Sequence, residues 1–324
     1  MTLSTPRFTI FAQIHYPEIW DEMVHQIDEA VNVPFALVMS CWDAETDLPL
    51  PQSSHLRFVE RVHVENRGRD VLPFLECLRL LKDAPLPDIG LKLHTKKSPH
   101  RDDGLDWRNA LILSLLETEG QGPSRLAALD LMEAQPRFGL IAPRHNFLPV
   151  KGRIGRNRSG MRRMADRMAI ALDQILTDDA RFPAGSMFWF RRAALSDFAR
   201  AKYDDLFEPE TGKLDATTAH ATERLFALAA EHQGFLTLPM ESVRPICELL
   251  AKNSDASSMQ IAECIRRTEL FESNNFISPL PKLAQRHEGM MVVAHLLKQA
   301  LPTPLWRTVS TTMRRALNFL EKTR

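Results

Sequence analysis

Residues 92 to 101, "KLHTKKSPHR", hold three lysines, two histidines and an arginine in ten positions. On an extended strand successive side chains alternate, so Lys92, His94 and Lys96 point to one side. Joined by Lys97, His100 and Arg101, they make a cationic strand end suited to a diphosphate or another dense anion, which Lys binds as a point charge. The ordinary alternative is a solvated basic turn. Residues 65 to 70, "ENRGRD", pose the same choice between a tight charged turn and a loop built to hold an anion. Gly68 permits a backbone conformation that side chains forbid. Asp70 suits the N-cap of a following helix, whose free N–H groups and positive dipole end attract anions. Asn66, Arg67 and Arg69 complete the candidate loop. "HATER" places Glu223 inside a helix with His220 three residues earlier on the same face, a candidate general base and its neighbour, or an ordinary helical surface. "DDGLD" (Asp102, Asp103, Asp106) lacks the terminal Glu of a calcium loop and has cationic neighbours, so it reads as capping before Trp107.

These segments fall where an α/β chain concentrates chemistry. "FTIFAQ" (8–13), "FALVMSCW" (35–42), "RVHVE" (61–65) and "IGLKLHT" (89–95) read as strands. "PEIWDEMVHQIDEA", with a Pro at its start, and "VLPFLECLRLLK" read as helices. The resulting β-α-β-β-α-β order predicts an α/β fold with a mostly parallel sheet flanked by helices. Ligands bind such sheets beyond the carboxyl ends of the strands. Those positions here are His15-Tyr16-Pro17, Ser40 to Asp43, Asn66 to Asp70 and His94 to Arg101.

Helical patterns follow from Asp106 and from Pro123, then a strand at "RFGLIAP" (137–143). A basic stretch comes next (Lys151, Arg153, Arg156, Arg158, Arg162, Arg163, Arg167), to be read as a solvated helix face, a lid over an anionic donor or a contact for a lipid phosphate. "FPAGSMFWFRRAAL" reads as a loop, a hydrophobic strand over 187–190 and a helix. Phe188 and Trp189 are either an apolar platform for a sugar face or the core of a buried strand. A helix is expected over 217–235, ended by Gly234, then a short strand "FLTLP". Residues 1–250 form the predicted main domain and 251–324 a helical extension. Its last stretch, "LWRTVSTTMRRALNFLEKTR", can lie on an anionic membrane surface or pack on its own domain.

Composition narrows the classes. The 324 residues are 44% hydrophobic and 25% charged, with 41 basic and 41 acidic residues. That balance gives no overall field for nucleic acid, so any anion site is local. Four cysteines without CxxC spacing support neither a disulfide framework nor a zinc site. The first residues lack the pattern of a signal peptide, and no stretch reaches about 20 apolar residues. The expected location is the cytoplasm, at the inner face of the membrane if the tail touches it.

The blocks "HYPEIWDEM", "VENRGRDVLPFLECLRLL", "LKLHTKKSPHR", "WRNALILSLL", "GLIAP", "FPAGSMFWFRRAAL" and "LDATTAHATERLF" resemble, in the same order, the motifs of the rhamnan synthesis F family. Coverage runs from about residue 8 to about residue 245. The family is associated with bacterial rhamnose-containing polysaccharides, and its members are regarded as glycosyltransferases. A more distant resemblance reaches the inverting transferases of GT-A fold. There an Asn-x-Gly turn, as in Asn66-Arg67-Gly68, follows a strand, and a "G…RR" segment, as in Gly185 to Arg192, lines the acceptor side. An acidic residue eleven positions before a Gly-aromatic pair, as Glu223 stands before Gly234-Phe235, holds the catalytic base. The resemblance implies donor contacts at His15, Tyr16, Asn66, Arg67, Gly68, Arg69, Asp70, Lys92, His94, Thr95, Lys96 and Lys97. It implies acceptor contacts at Gly185, Ser186, Phe188 and Trp189. The donor it favours is dTDP-rhamnose, and the acceptor a glycan or lipid-linked glycan. The sequence departs from GT-A enzymes in having His94-Thr95-Lys96 where those place Asp-x-Asp and Mg²⁺ or Mn²⁺. The expectation is therefore transfer without a cofactor, with Lys96, Lys97 and His94 supplying fixed charge, while Mg²⁺ or Mn²⁺ stays open. Two further readings stand beside it: a non-catalytic sugar-nucleotide or glycan-binding scaffold, and phosphate transfer onto a glycan.

Overall fold

The computed structural model describes residues 4–43, 47–95, 104–116, 124–143, 146–210, 215–272 and 305. The chain divides into units over Met1–Ile261 and Ala262–Arg324. In chain order the first unit begins β1 (Phe8–Ile14), α1 (Pro17–Ala30), β2 (Phe35–Cys41), β3 (Leu56–His63), α2 (Val71–Leu80), β4 (Ile89–His94) and α3 (Gly104–Leu115). It continues with α4 (Ala127–Ala134), β5 (Phe138–Ala142), β6 (Phe147–Pro149), α5 (Arg158–Arg167), α6 (Leu172–Ile175), β7 (Arg181–Pro183) and β8 (Phe188–Arg191). Then come α7 (Ser196–Arg200), α8 (Thr218–Glu223), α9 (Phe226–His232), β9 (Leu236–Pro239) and α10 (Val243–Lys252), and α11 (Ser258–Glu272) runs from the first unit into the second.

Seven strands form one sheet in the order β3-β2-β1-β4-β8-β5-β9, and β6 pairs with β7 in a separate ribbon. The chain is therefore α/β with a mostly parallel sheet. β1 pairs in parallel with both β2 and β4, whereas β8 runs antiparallel between β4 and β5. β1 and β4 are buried along their whole length, as expected of parallel strands covered on both faces. The helix that follows β1 starts with Pro17 in its first turn and buries Ile19, Trp20, Met23, Val24 and Ile27. Aromatic rings fill the layer between β4, β8 and α2, where Phe74 meets Phe188 and Phe190 edge-on.

Three differences from the sequence reading have physical causes. The third strand starts at Leu56, five residues earlier than expected, because β3 is an edge strand whose alternating charges hide its apolar residues; Phe58 stays 43% exposed. The helix expected over 217–235 breaks into α8 and α9. At the break the Arg224 guanidinium donates to the His220 and Arg153 carbonyls (2.6 and 2.9 Å) and lies over the Phe182 ring. The β6–β7 ribbon has only three residues per strand, too few to print an alternation. Among the described residues no helix is long and apolar enough to cross a membrane. The C-terminal stretch from Leu305, read as a membrane or packing helix, lies outside the described residues apart from Leu305 itself, which is exposed.

Candidate functional site

The parallel strands β1 and β4 end at one edge of the sheet, and the antiparallel β8 begins there: Lys92 pairs with Phe188, while Ile89, at the far edge, pairs with Arg191. Thr95, one residue past β4, receives two hydrogen bonds on its hydroxyl oxygen, from the His15 and Tyr16 amides (2.8 and 3.0 Å). This staples the exit of β1 to that of β4. The His15 ring meets Tyr16 edge-on at 4.6 Å and lies 6.1 Å from Trp42, which is 44% exposed just beyond β2. The three rings form an aromatic ledge at the carboxyl ends of β1 and β2. Trp42 lies in the Ser40 to Asp43 segment marked from the sequence as a strand end, but was not named there as a donor contact.

The "ENRGRD" loop enters α2 through two consecutive left-handed residues, Gly68 (φ 68°) and Arg69 (φ 58°). A Cβ at Gly68 would stand 2.5 Å from Leu72 Cβ and 2.7 Å from the Phe207 ring, so no other residue fits without a shift. Arg67 forms an isolated bridge with Pro209 and an ion pair with Glu65 at 3.0 Å, and Asn66 is exposed. Asp70 occupies the N-cap position of α2 but makes no capping bond. Its backbone is already helical (φ −85°, ψ −5°), whereas a capping side chain needs an extended one. The carboxylate turns inward instead. Its Oδ2 accepts from Lys92 Nζ at 2.7 Å and from the Ser186 hydroxyl, and lies 3.2 Å from His94 Nδ1. Burial opposes ionisation of Asp70, but the charges of His94 and Lys92 and the bonds from Lys92 and Ser186 outweigh it and hold the carboxyl well below the usual carboxylate range.

Lys92 is fully buried, and an ammonium there must satisfy three donors. It does so with Asp70 Oδ2 (2.7 Å), the Ser186 carbonyl (2.7 Å) and the Ser186 hydroxyl (3.1 Å). Burial draws its pKa down from the ordinary lysine value, with Asp70 and the nearby Glu223 charge pulling the other way. Gly185 and Ser186 are both left-handed (φ 90° and 44°), and the turn they make aims the Gly185 N–H at Glu223 Oε1, 2.7 Å away. Glu223 ends α8, its side chain 18% exposed, with Oε2 3.8 Å from Arg224 Nη1. The helix that carries it packs tightly on α5: a Cβ at Gly160 would approach Ala221 Cβ to 2.8 Å.

His220 lies one turn earlier on α8. Arg69 Nη1 is 3.2 Å from its Nε2, and Thr217 Oγ1 is 2.7 Å from its Nδ1. A guanidinium only donates, so Nε2 accepts and Nδ1 carries the proton, which it shares with Thr217. Burial, and next the Arg69 charge, lower the His220 pKa to about 4. The sign follows directly. A histidine depressed below its unfolded value of about 6.5 leaves stability intact above that pH, and stability falls as the pH drops from about 6.5 towards about 4. Chemical denaturation across that window is expected to show a declining midpoint, and His220→Gln to flatten the slope.

The structure thus joins four segments far apart in sequence. Asp70, Lys92, His94, Gly185, Ser186 and Glu223 form one cluster, with Arg69 and His220 at its side. Several expected roles change. Lys92 and His94 face Asp70 at 1% and 3% exposure, so neither offers its charge to a diphosphate. Thr95 is engaged as a backbone staple. His220 Nε2 already accepts from Arg69, so it is not free to take a proton. Phe188 and Trp189 are fully buried, Trp189 donating to the Leu115 carbonyl at 2.9 Å, so they are core and present no platform for a sugar. Arg191 and Arg192 lie at the opposite end of β8, bound to Asp88 and to the carbonyls of Leu81, Lys82 and Leu86. Lys96, Lys97, His100, Arg101, Asp102 and Asp103 lie outside the described residues.

The basic stretch is more balanced than its sequence suggests. Lys151 pairs with Asp178, Arg158 and Arg162 with Asp173, and Arg167 with Asp205. Among the described residues no group of three or more His, Cys, Asp or Glu side chains is placed to hold a metal ion. At the end of β4, where GT-A enzymes place a divalent cation, the described residues present the carboxylate of Asp70, whose Oδ2 accepts from the Lys92 ammonium. Among the described residues this donor set does not fit a divalent cation.

Comparison with known proteins agrees with the motif order. The sequence profile of the family described as rhamnan synthesis protein F matches residues 1–235. The chain is 34% identical over 244 residues to the "Uncharacterized protein WxcX" of Xanthomonas campestris pv. campestris strain B100, and equally to its namesake in strain ATCC 33913. Each alignment takes in 74% of this chain and 33% of the relative. The chain spans about a third of the length of the curated relatives it matches.

Proposed function

The chain belongs to the rhamnan synthesis protein F family, and from that premise we propose that it is a glycosyltransferase domain of polysaccharide synthesis. It passes L-rhamnose from dTDP-rhamnose to a hydroxyl of a glycan or lipid-linked glycan, with inversion. The observation that carries this reading is Glu223 fixed by the Gly185 amide at the sheet edge where β1 and β4 end. That edge is where α/β sheets bind ligands, and the strand order, with one antiparallel strand that follows the turn whose amide holds the base, supports a GT-A-like arrangement.

The acceptor hydroxyl attacks C1 of the sugar from the face opposite the diphosphate. Its proton passes to the Glu223 carboxylate, the bond from C1 to the phosphate oxygen breaks, and the electron pair leaves with the nucleoside diphosphate. Negative charge grows on that leaving group, and fixed cations aimed there lower the barrier. Arg69, 35% exposed beside the cluster in a left-handed loop, supports a share in this role, with Lys96 and Lys97 following the end of β4 in sequence. The ledge of His15, Tyr16 and Trp42 supplies rings against which a nucleobase stacks.

Thermal unfolding with dTDP, UDP, GDP and CDP, each with EDTA and with Mg²⁺, tests the donor. At about 100 times its Kd a ligand adds about 2.7 kcal/mol, a shift of a few degrees in a chain of this size. The reading expects dTDP to stabilise most, and to do so in EDTA. Stabilisation only with Mg²⁺ contradicts transfer without metal, and no shift with any nucleotide contradicts the donor site.

A further inference from the structure

The proposed chemistry uses Glu223 but gives no task to the least accessible charge nearby. Lys92 is a lysine with 1% exposure, on a strand otherwise made of Ile, Gly, Leu and His. Burying an ammonium carries a large desolvation cost, so its contacts indicate what the position needs. Two of its three acceptors belong to a single residue, Ser186, and one of these is the backbone carbonyl. Ser186 is left-handed at φ 44°, a conformation that a residue with a Cβ adopts only when its surroundings impose it. The residue before it, Gly185, delivers its N–H to Glu223. Asp70 closes the arrangement by accepting from both Lys92 and Ser186.

Resting on the transferase reading above, we infer that Lys92 is a positioning residue. It grips the Ser186 carbonyl, holds the Gly185–Ser186 turn in its left-handed form, and thereby fixes the Gly185 amide on Glu223 Oε1 so that the base meets the acceptor in one orientation. Asp70 is the counter-ion that keeps the ammonium charged in its buried place. The chain of contact runs from Lys92 through the turn to the Gly185 amide and the carboxylate. An apolar side chain at position 92 would fill the same space and leave the turn unheld.

Hydrogen exchange of the Gly185 amide in the full chain, followed with ¹⁵N-glycine labelling, reads this directly, since the protein has only 13 glycines to resolve. Lys92→Met alone leaves Asp70 buried without its partner, so the principal variant is Lys92→Met with Asp70→Asn, which removes both charges. In this variant Gly185 is expected to lose protection by about tenfold or more, while the core amides of β4 and β8 keep theirs. Sugar transfer should lose about tenfold or more in kcat with the donor Kd within about threefold, the split that marks loss of orientation rather than of binding. Gly185 protection equal to wild type in the folded variant overturns the inference. If the double variant does not fold, Ser186→Ala takes its place. That change removes the hydroxyl and keeps the carbonyl that Lys92 grips, so Gly185 protection is expected to fall by less than about threefold, and a loss of about tenfold or more, which would assign the turn to the hydroxyl instead, overturns the inference. Failure of the transferase reading looks different: Gly185 is protected in the wild type and exposed in the double variant, yet neither protein turns over any donor.

Discussion

Glu223→Gln is expected to lower kcat for sugar transfer by about 10²- to 10⁴-fold, the usual contribution of a positioned general base, while leaving donor affinity unchanged. The substitution keeps the shape of the side chain and an oxygen that can still accept from the Gly185 N–H. What it removes is the carboxylate's capacity to take a proton. His220 cannot substitute, because its Nε2 accepts from Arg69 and its pKa is held near about 4 by burial. Initial rates at saturating donor, beside a binding isotherm for the same variant, separate the two quantities. A matching loss in donor affinity would place Glu223 among the binding contacts. A non-catalytic scaffold would show the same donor affinity in both proteins and turnover in neither.

Lys92→Met should give the largest loss of stability of any single change in the site, about 3–5 kcal/mol, as when one partner of a buried ion pair is removed. The cost comes from Asp70, whose carboxylate owes its depressed pKa to His94 and Lys92 despite burial. Without the ammonium, Asp70 must stay charged in poor surroundings or take up a proton. Adding Asp70→Asn should recover a large part of the loss, since a pair removed together leaves no unpaired charge. Urea denaturation of the two single variants and the double gives the coupling directly. Additive losses would mean that the pair contributes no interaction of its own.

How much of this was legible in the sequence depended on the range of the interactions involved. The strands β1, β2 and β4 and the helices α1 and α2 declared themselves through local pattern: unbroken apolar runs, four-residue spacing and a Pro at a helix start. The edge strand β3 and the β6–β7 ribbon did not, since one is amphipathic with charges on both sides of its apolar residues and the other has three residues per strand. In the candidate site, the segments named from the sequence come together, while several side chains point elsewhere than expected. Lys92 and His94 share a face as alternation requires, yet that face is turned to Asp70, a contact set by the packing of α2 on the sheet. Asp70 had every mark of an N-cap, and its partners Lys92 and Ser186, 22 and 116 positions away, show why it does not serve as one. Phe188 and Trp189 carried equal claims to platform and core. Their place in β8, the strand between β4 and β5, settles them as core.

The central claim is that this sheet edge transfers a sugar from a nucleotide donor with Glu223 as base. The most direct measurement incubates the wild-type chain with dTDP-rhamnose and a glycan acceptor fraction in EDTA, and follows nucleotide release and the anomeric configuration of the product by NMR. The account predicts stoichiometric dTDP, a rhamnosylated acceptor of inverted configuration, and loss of both with Glu223→Gln. Release of dTMP with transfer of the sugar phosphate, or a product of retained configuration, would contradict it.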